Sequence, residues 1–248
     1  MPTTWGRYVY GAAALAIGLV GVTFGDFAGV WQPFPDAPNR QLIAYAVAAL
    51  FVVGGGLILT RRFTGIGALL CAALYAMFAF FWLNMRLLNH PEEMVFYNGV
   101  AEQMAMAMGG VALYATQNES DWSGRLGQAA QLIFGLCCMV FGTAHFVYTS
   151  ETASMVPAWL PPNQRLWAVL TGIFHSAGGL ALLSGIYALV AARALTAMFI
   201  GFGLLVWAPI LAGDWHDHIN WAGNAINLAL VGAAWAIGDN IAQRRNGH

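Results

Sequence analysis

Eight long apolar runs, near residues 8–25, 41–60, 64–84, 97–116, 127–147, 166–188, 194–212 and 219–237, alternate with polar links along the chain. Each is about as long as the ~20 residues that cross a ~30 Å hydrocarbon core as a helix, and a helix satisfies its own backbone groups in lipid. The pattern also occurs twice. Pro38-Asn39-Arg40-Gln41-Leu42 with Gly54-Gly55 returns 124 residues later as Pro162-Asn163-Gln164-Arg165-Leu166 with Gly178-Gly179. Tyr97-Asn98-Gly99, Glu102 and Gly110 align with Ile219-Asn220-Trp221, Asn224 and Gly232 at nearly that offset. The expected fold is an all-α integral membrane protein of eight transmembrane helices, arranged as two four-helix repeats over residues 1–120 and 121–248. An even number of helices per copy gives both copies the same, parallel orientation.

Composition agrees with a bilayer environment. Lysine plus arginine number 10 and aspartate plus glutamate 11 in 248 residues, 59% of residues are hydrophobic and mean hydropathy is +0.63, far from the roughly 25% charged residues of a soluble domain. Arg7 ahead of the first run resembles a signal peptide, but no small-x-small cleavage site follows Val22, so this run is read as a helix. All ten basic residues are arginines, which excludes lysine Schiff-base chemistry. Cys71, Cys137 and Cys138 all lie in apolar runs and read as small packing residues.

The links sort by charge. Arg7, Arg61, Arg62, Arg125, Arg193, Arg244 and Arg245 share one side with Glu119, Asp121 and Asp239. The other side carries Arg40, Arg86 and Arg165 with seven acids. The positive-inside rule then predicts a multi-pass protein of the cytoplasmic membrane with both termini cytoplasmic. The outer links 26–40, 85–96 and 148–165 are longer and hold proline, tryptophan and histidine, which places function on that side. Trp31, Trp159 and Trp215 read as interfacial anchors.

Ionisable groups at membrane depth are costly and usually face the bundle interior. Glu102, with Asn98, Ala105 and Gly109 on one helical face, is the first candidate. His175 lies deeper, on a face with Thr171, Gly178 and Gly179. Asp26 and His145 each precede a phenylalanine near the outer end of the first and fifth runs, and read as equivalents. Glu102, His145, His175 and Asp26 are therefore the candidate proton-handling residues, because a carboxylate beside an imidazole makes a proton-exchanging pair. Asn220, Asn224 and Asn227 form one amide stripe, which suits either helix bonding or orientation of a polar headgroup, the latter assigned to Asn224 and Asn227. Phe80, Phe81, Trp82 and Trp207 supply aromatic surface either for the core or for a ring such as a quinone, with Trp82 and Trp207 the candidate ring contacts.

Asp214-Trp215-His216-Asp217-His218 offers a weak metal set in His216, His218 and Asp214. A haem would require axial histidines at matching depth on facing helices; His145 and His175 are the only candidates, and their expected depths differ. No nucleotide or flavin motif is present, and the few arginines at membrane edges argue against nucleic-acid binding.

In the second half, Gly142-Thr143-Ala144-His145-Phe146, Met155-Val156-Pro157-Ala158-Trp159-Leu160-Pro161-Pro162 and Thr171-Gly172-Ile173-Phe174-His175 with Gly178-Gly179 resemble the DoxX/DoxD-like family of four-helix membrane proteins. The likeness covers about 100–110 residues and extends more loosely to the first half. It departs at His175, where relatives usually carry an acid, and at Phe51 in the first copy. The resemblance implies a membrane redox role, as in a thiosulfate:quinone oxidoreductase subunit, with quinone, a metal or a redox partner subunit supplying the electron chemistry. The residues leave two rivals open, a small-molecule or ion transporter and a non-catalytic structural subunit of a membrane complex. Lipid is the expected environment, and a partner subunit or a second copy the expected protein contact.

Overall fold

A computed structural model describes residues 5–118 and 120–246, so Glu119, counted above with the arginine-rich side, lies outside the described residues. Every element is helical: α1 Trp5–Phe24, α2 Arg40–Leu59, α3 Thr64–Trp82 continued by a π-helical turn Leu83–Leu87, α4 Met94–Gln117, α5 Asp121–Val147, the short α6 Thr149–Met155, α7 Gln164–Ser184, α8 Ala188–Phe202 continued by a second π-helical turn Gly203–Trp207, α9 Ala208–Gly213 and α10 His218–Asn246. Seven of the described helical stretches are long and apolar enough to cross a membrane, which makes this a multi-pass membrane protein. The fourth run forms α4, 24 residues long, but is not among the seven. The physical reason is its polar content, since Asn98, Glu102 and Gln103 fall on a helix enclosed by α3, α5 and α10 rather than by lipid.

The order of packing follows from small residues. Helix α1 lies on α2 and α10, α4 on α3 and α5, α5 on α7, and α10 on α4 and α8. Gly55 brings α2 against the Gly11 carbonyl and Leu15, and Gly179 brings α7 against the Gly135 carbonyl and Met139. Gly18 meets the Ala48 carbonyl and Val52, whereas Gly142 meets the Gly172 carbonyl and Ser176. Gly54 lies on Cys71, and Gly178 on Leu195. In every case the second set lies 124 positions after the first. Without a water-driven force between helices in lipid, such close backbone approach is the main source of packing energy. In the middle, Gly109 of α4 touches Ala233 of α10, and the Asn240 amide donates to the Thr116 hydroxyl at 3.3 Å.

The segment after α1 departs from its expected place at the surface. Phe27 and Trp31 are buried, and the Trp31 carbonyl accepts hydrogen bonds from Trp82 Nε1 at 3.2 Å and from the fully buried Gln103 amide at 2.8 Å. Trp31 is thus a core residue and not an interfacial anchor, because its carbonyl is the partner that the buried amide of α4 requires. Trp159 and Trp215 are exposed. Cys71, Cys137 and Cys138 are free and buried in the helix packing.

A Cβ at Gly179 would lie 2.8 Å from the Gly135 carbonyl oxygen, while one at Gly56 would meet nothing within 4 Å. Gly179→Ala is therefore expected to destabilise the bundle by about 1–3 kcal/mol. Gly56→Ala is expected to be neutral or stabilising by up to about 1 kcal/mol. Denaturant titration in detergent micelles checks both.

Candidate functional site

Helices α5 and α7 cross where Gly142 and Gly172 remove side-chain bulk, so His145 and His175 come together with ring centroids 4.9 Å apart. Each imidazole bonds through Nδ1 to the carbonyl one turn earlier, His145 to Phe141 and His175 to Thr171, both at 3.0 Å. A carbonyl only accepts, so Nδ1 carries the proton in both neutral rings and Nε2 presents a lone pair. Nε2 of His175 is buried and has no hydrogen-bond partner among the described residues. A buried acceptor left open in this way is uncommon and points to a ligand or water.

The two imidazoles belong to a cavity of about 130 Å3 that Glu102 and Asn98 of α4 close from one side. Phe141, Phe199 and Phe202 surround His175, with ring centroids between 5.5 and 6.0 Å from it. Asn227 and Trp207 complete the wall. Asn227 is held by donating to the Phe199 carbonyl at 3.1 Å. Trp207 sits on the π-helical turn against Gly223, where any side chain would collide with its indole, and its ring meets Trp31 edge-on at 5.6 Å. The cavity therefore combines one carboxyl, two imidazoles and two amides with an aromatic lining, a set that can bind a ring bearing oxygen substituents and exchange protons with it.

Five of the residues singled out from the sequence thus meet: Glu102, His145, His175, Asn227 and Trp207. Three lie elsewhere. Asp26 is ion-paired with Arg40 at 2.8 Å and accepts from the Phe27 amide, so it holds the α1–α2 link. Asn224 donates to the Trp207 and Asn220 carbonyls, both at 2.9 Å, and bonds helices together. Trp82 packs over Gly99 and anchors Trp31. The pairing of Asp26 with His145 as equivalents is also displaced, because the 124-residue register of α1 and α5 puts Gly21 in the place of His145. The three phenylalanines around His175 were not marked in the sequence, where phenylalanine in an apolar run carries no distinguishing signal.

His216, His218 and Asp214 do not converge. Asp214 accepts from the His216 amide, the His216 ring lies on Trp215 and that of His218 stacks on Phe24 at 4.4 Å. Among the described residues no group of three His, Cys, Asp or Glu is placed to hold a metal ion. His145 and His175 are adjacent rather than opposed, and their separation leaves no room for a porphyrin between them.

From the outer cavity wall a second, larger space opens between α7 and α8. It measures about 850 Å3 and shares Asn98, His145, Phe202 and Trp207 with the inner cavity, but its remaining wall is mostly apolar, with Phe174, Leu195, Met198 and Leu205 among the residues lining it.

Residues 134–237 match a family described as Domain of unknown function (DUF8561). The matched stretch contains His145, His175, Trp207 and Asn227, whereas Glu102 lies before it. Neither a curated protein nor a solved structure matches the chain.

Asn227→Ala and Asn224→Ala are each expected to cost about 0.6–1.7 kcal/mol of bundle stability, the range of interhelical side-chain bonds in lipid. Glu102 takes part in none of the ion pairs among the described residues, so Glu102→Gln should leave the unfolding midpoint unchanged. Thermal unfolding of the three purified variants separates scaffold amides from the cavity carboxyl.

Proposed function

We propose that this protein is a quinone-linked membrane redox component of DoxX/DoxD-like plan, with its headgroup site in the Glu102–His145–His175 cavity. The observation that carries the reading is the meeting of these three side chains, drawn from α4, α5 and α7, around one aromatic-lined space at membrane depth. Asn224 donates to carbonyls of its neighbours, whereas His175 Nε2 is left open on a residue that lines the cavity.

A bound quinol would supply two protons and two electrons. His175 Nε2 accepts a hydrogen bond from one hydroxyl and takes its proton, and Glu102 receives the second. Asn98 and Asn227 orient the ring by its oxygens, and Phe199, Phe202 and Trp207 exclude water from its faces. The two electrons would pass to a redox centre supplied by a partner subunit.

The same reading takes the chain as two parallel four-helix repeats, 1–120 and 121–248, with eight spanning helices and α4 the equivalent of α10. Support comes from the glycine contacts that recur at 124 residues, from a π-helical turn within the third span of each half, and from the reciprocal packing of α1 on α10 and α5 on α4. The arginine-rich ends then face the cytoplasm, and the site lies toward the opposite face.

In membrane vesicles, Glu102→Gln and His175→Ala are each expected to lower quinol-dependent electron flow at least about tenfold, near 1.4 kcal/mol in barrier height, at wild-type protein level. His175→Phe adds a control for packing. Phe51 of α2 fills the corresponding place in the first half, fully buried against Tyr75 of α3, so this variant should fold normally and remain inactive. Wild-type rates in Glu102→Gln and His175→Phe would overturn the reading.

A further inference from the structure

The inner cavity has room for a headgroup and little else, whereas the space between α7 and α8 is more than six times larger and mostly apolar, at about 850 against 130 Å3. The two adjoin, with His145, Phe202 and Trp207 in the walls of both. Polarity therefore falls from the cavity outward, as it does along an amphiphile.

The first half shows what such a space holds when it is filled from within. There Phe27 and Phe34 stack on each other at 4.6 Å, Phe27 meets Phe78 edge-on at 5.8 Å, and Phe34 meets Phe81 at 5.2 Å. Phe78 and Phe81 precede Phe202 and Leu205, two groove residues, by 124 positions. The chain's own loop thus covers α3 where the corresponding part of α8 lies open. Burial follows suit, since half of the apolar window of α3 is buried in protein (50%) but only 17% of that of α8–α9. In the second half the link after α5 folds instead as α6 and the Val156–Leu160 turn, which border the groove rather than fill it.

We infer that the α7–α8 groove holds the hydrocarbon chain of a membrane-borne, single-chain amphiphile, which enters sideways from the bilayer with its polar head in the Glu102–His145–His175 cavity. The placement of the head rests on the function proposed above; the placement of the chain rests on the groove. A water-soluble substrate would gain nothing from an apolar trough open to lipid. The narrow space between two helices suits one flexible chain, and the π-helical turn at Gly203–Trp207 offsets α8 where head and chain would join.

The test uses the purified full chain and two probes. The first is a matched pair of benzoquinones, one with a decyl chain and one without. The second is a diazirine-bearing hexadecanol, whose photolabelled residues are mapped by mass spectrometry. Gly201 borders the groove and a Cβ there would meet nothing within 4 Å, so Gly201→Leu adds bulk to the groove from a position with open space around it. The decyl compound should bind at least about tenfold more tightly than the chainless one, a difference Gly201→Leu should remove without altering chainless binding. Labelling should concentrate on Met198 and Phe174 and fall several-fold in Gly201→Leu. Glu102→Gln should weaken both quinones alike. If neither quinone binds, the headgroup reading fails, and Met198 labelling that Gly201→Leu abolishes still supports the chain site. Equal affinity for both quinones, or labelling spread evenly over α2 and α8 and unchanged in Gly201→Leu, would overturn the inference. A dimer that shields Met198 from the probe would assign the groove to a second copy and overturn it as well.

Discussion

The structure depends on one constraint: at membrane depth, every polar group must find its partner inside the bundle, because lipid offers none. The amide nitrogen of the fully buried Gln103 meets it through the loop after α1, which turns inward so that the Trp31 carbonyl accepts from it. Asn240 meets it across the centre, on Thr116 and the Ala112 carbonyl. Arg193 does so with Asp239, at 2.6 Å, near the arginine-rich end. His175 Nε2 is one of a few buried atoms left without a partner among the described residues, Tyr75 Oη and Gln103 Oε1 among the others, and of these residues His175 is the one that lines the cavity with Glu102 and His145.

Small residues provide the means. Polar side chains meet across helices only when backbones approach closely, and Gly55, Gly142, Gly172 and Gly179 permit that approach. Gly142 and Gly172 lie within three residues of His145 and His175, so the features that pack α5 on α7 also set the imidazole separation. Scaffold and site are thus one arrangement in this half. In the other half the same crossing carries Gly21 and Phe51, and it makes only core.

Much of the helical order was legible in the sequence, since a ~20-residue apolar run has few alternatives in a bilayer. The link after α1 was not. Its three prolines and Trp31 resemble an exposed outer loop, and nothing local reveals that Gln103, 72 residues beyond Trp31, needs a carbonyl from it. Of the candidate residues, Glu102 and His175 were found because buried ionisable groups are rare enough to notice. Asp26 looked similar but has Arg40 beside it in space, a pairing that a fourteen-residue separation across a loop conceals. The phenylalanines around His175 were invisible for the opposite reason, being indistinguishable by type from ordinary core.

Duplication followed by divergence would give the two halves different roles. The first half has the buried Phe51 where the second has His175, and Phe27 and Phe34 stack over its α3. That half contributes α4, and with it Glu102, to the cavity of the other. Because α4 packs on α5 while α1 packs on α10, each half supplies a wall of its neighbour, so a second-half unit on its own would lack the carboxyl. A single four-helix unit of this plan would need a second copy of itself to supply the equivalent of α4. On the proposed two-repeat plan, joining both units in one chain would remove that need and leave one crossing free to be solid core, while Trp31 and Trp207 meet edge-on beside the cavity of the other.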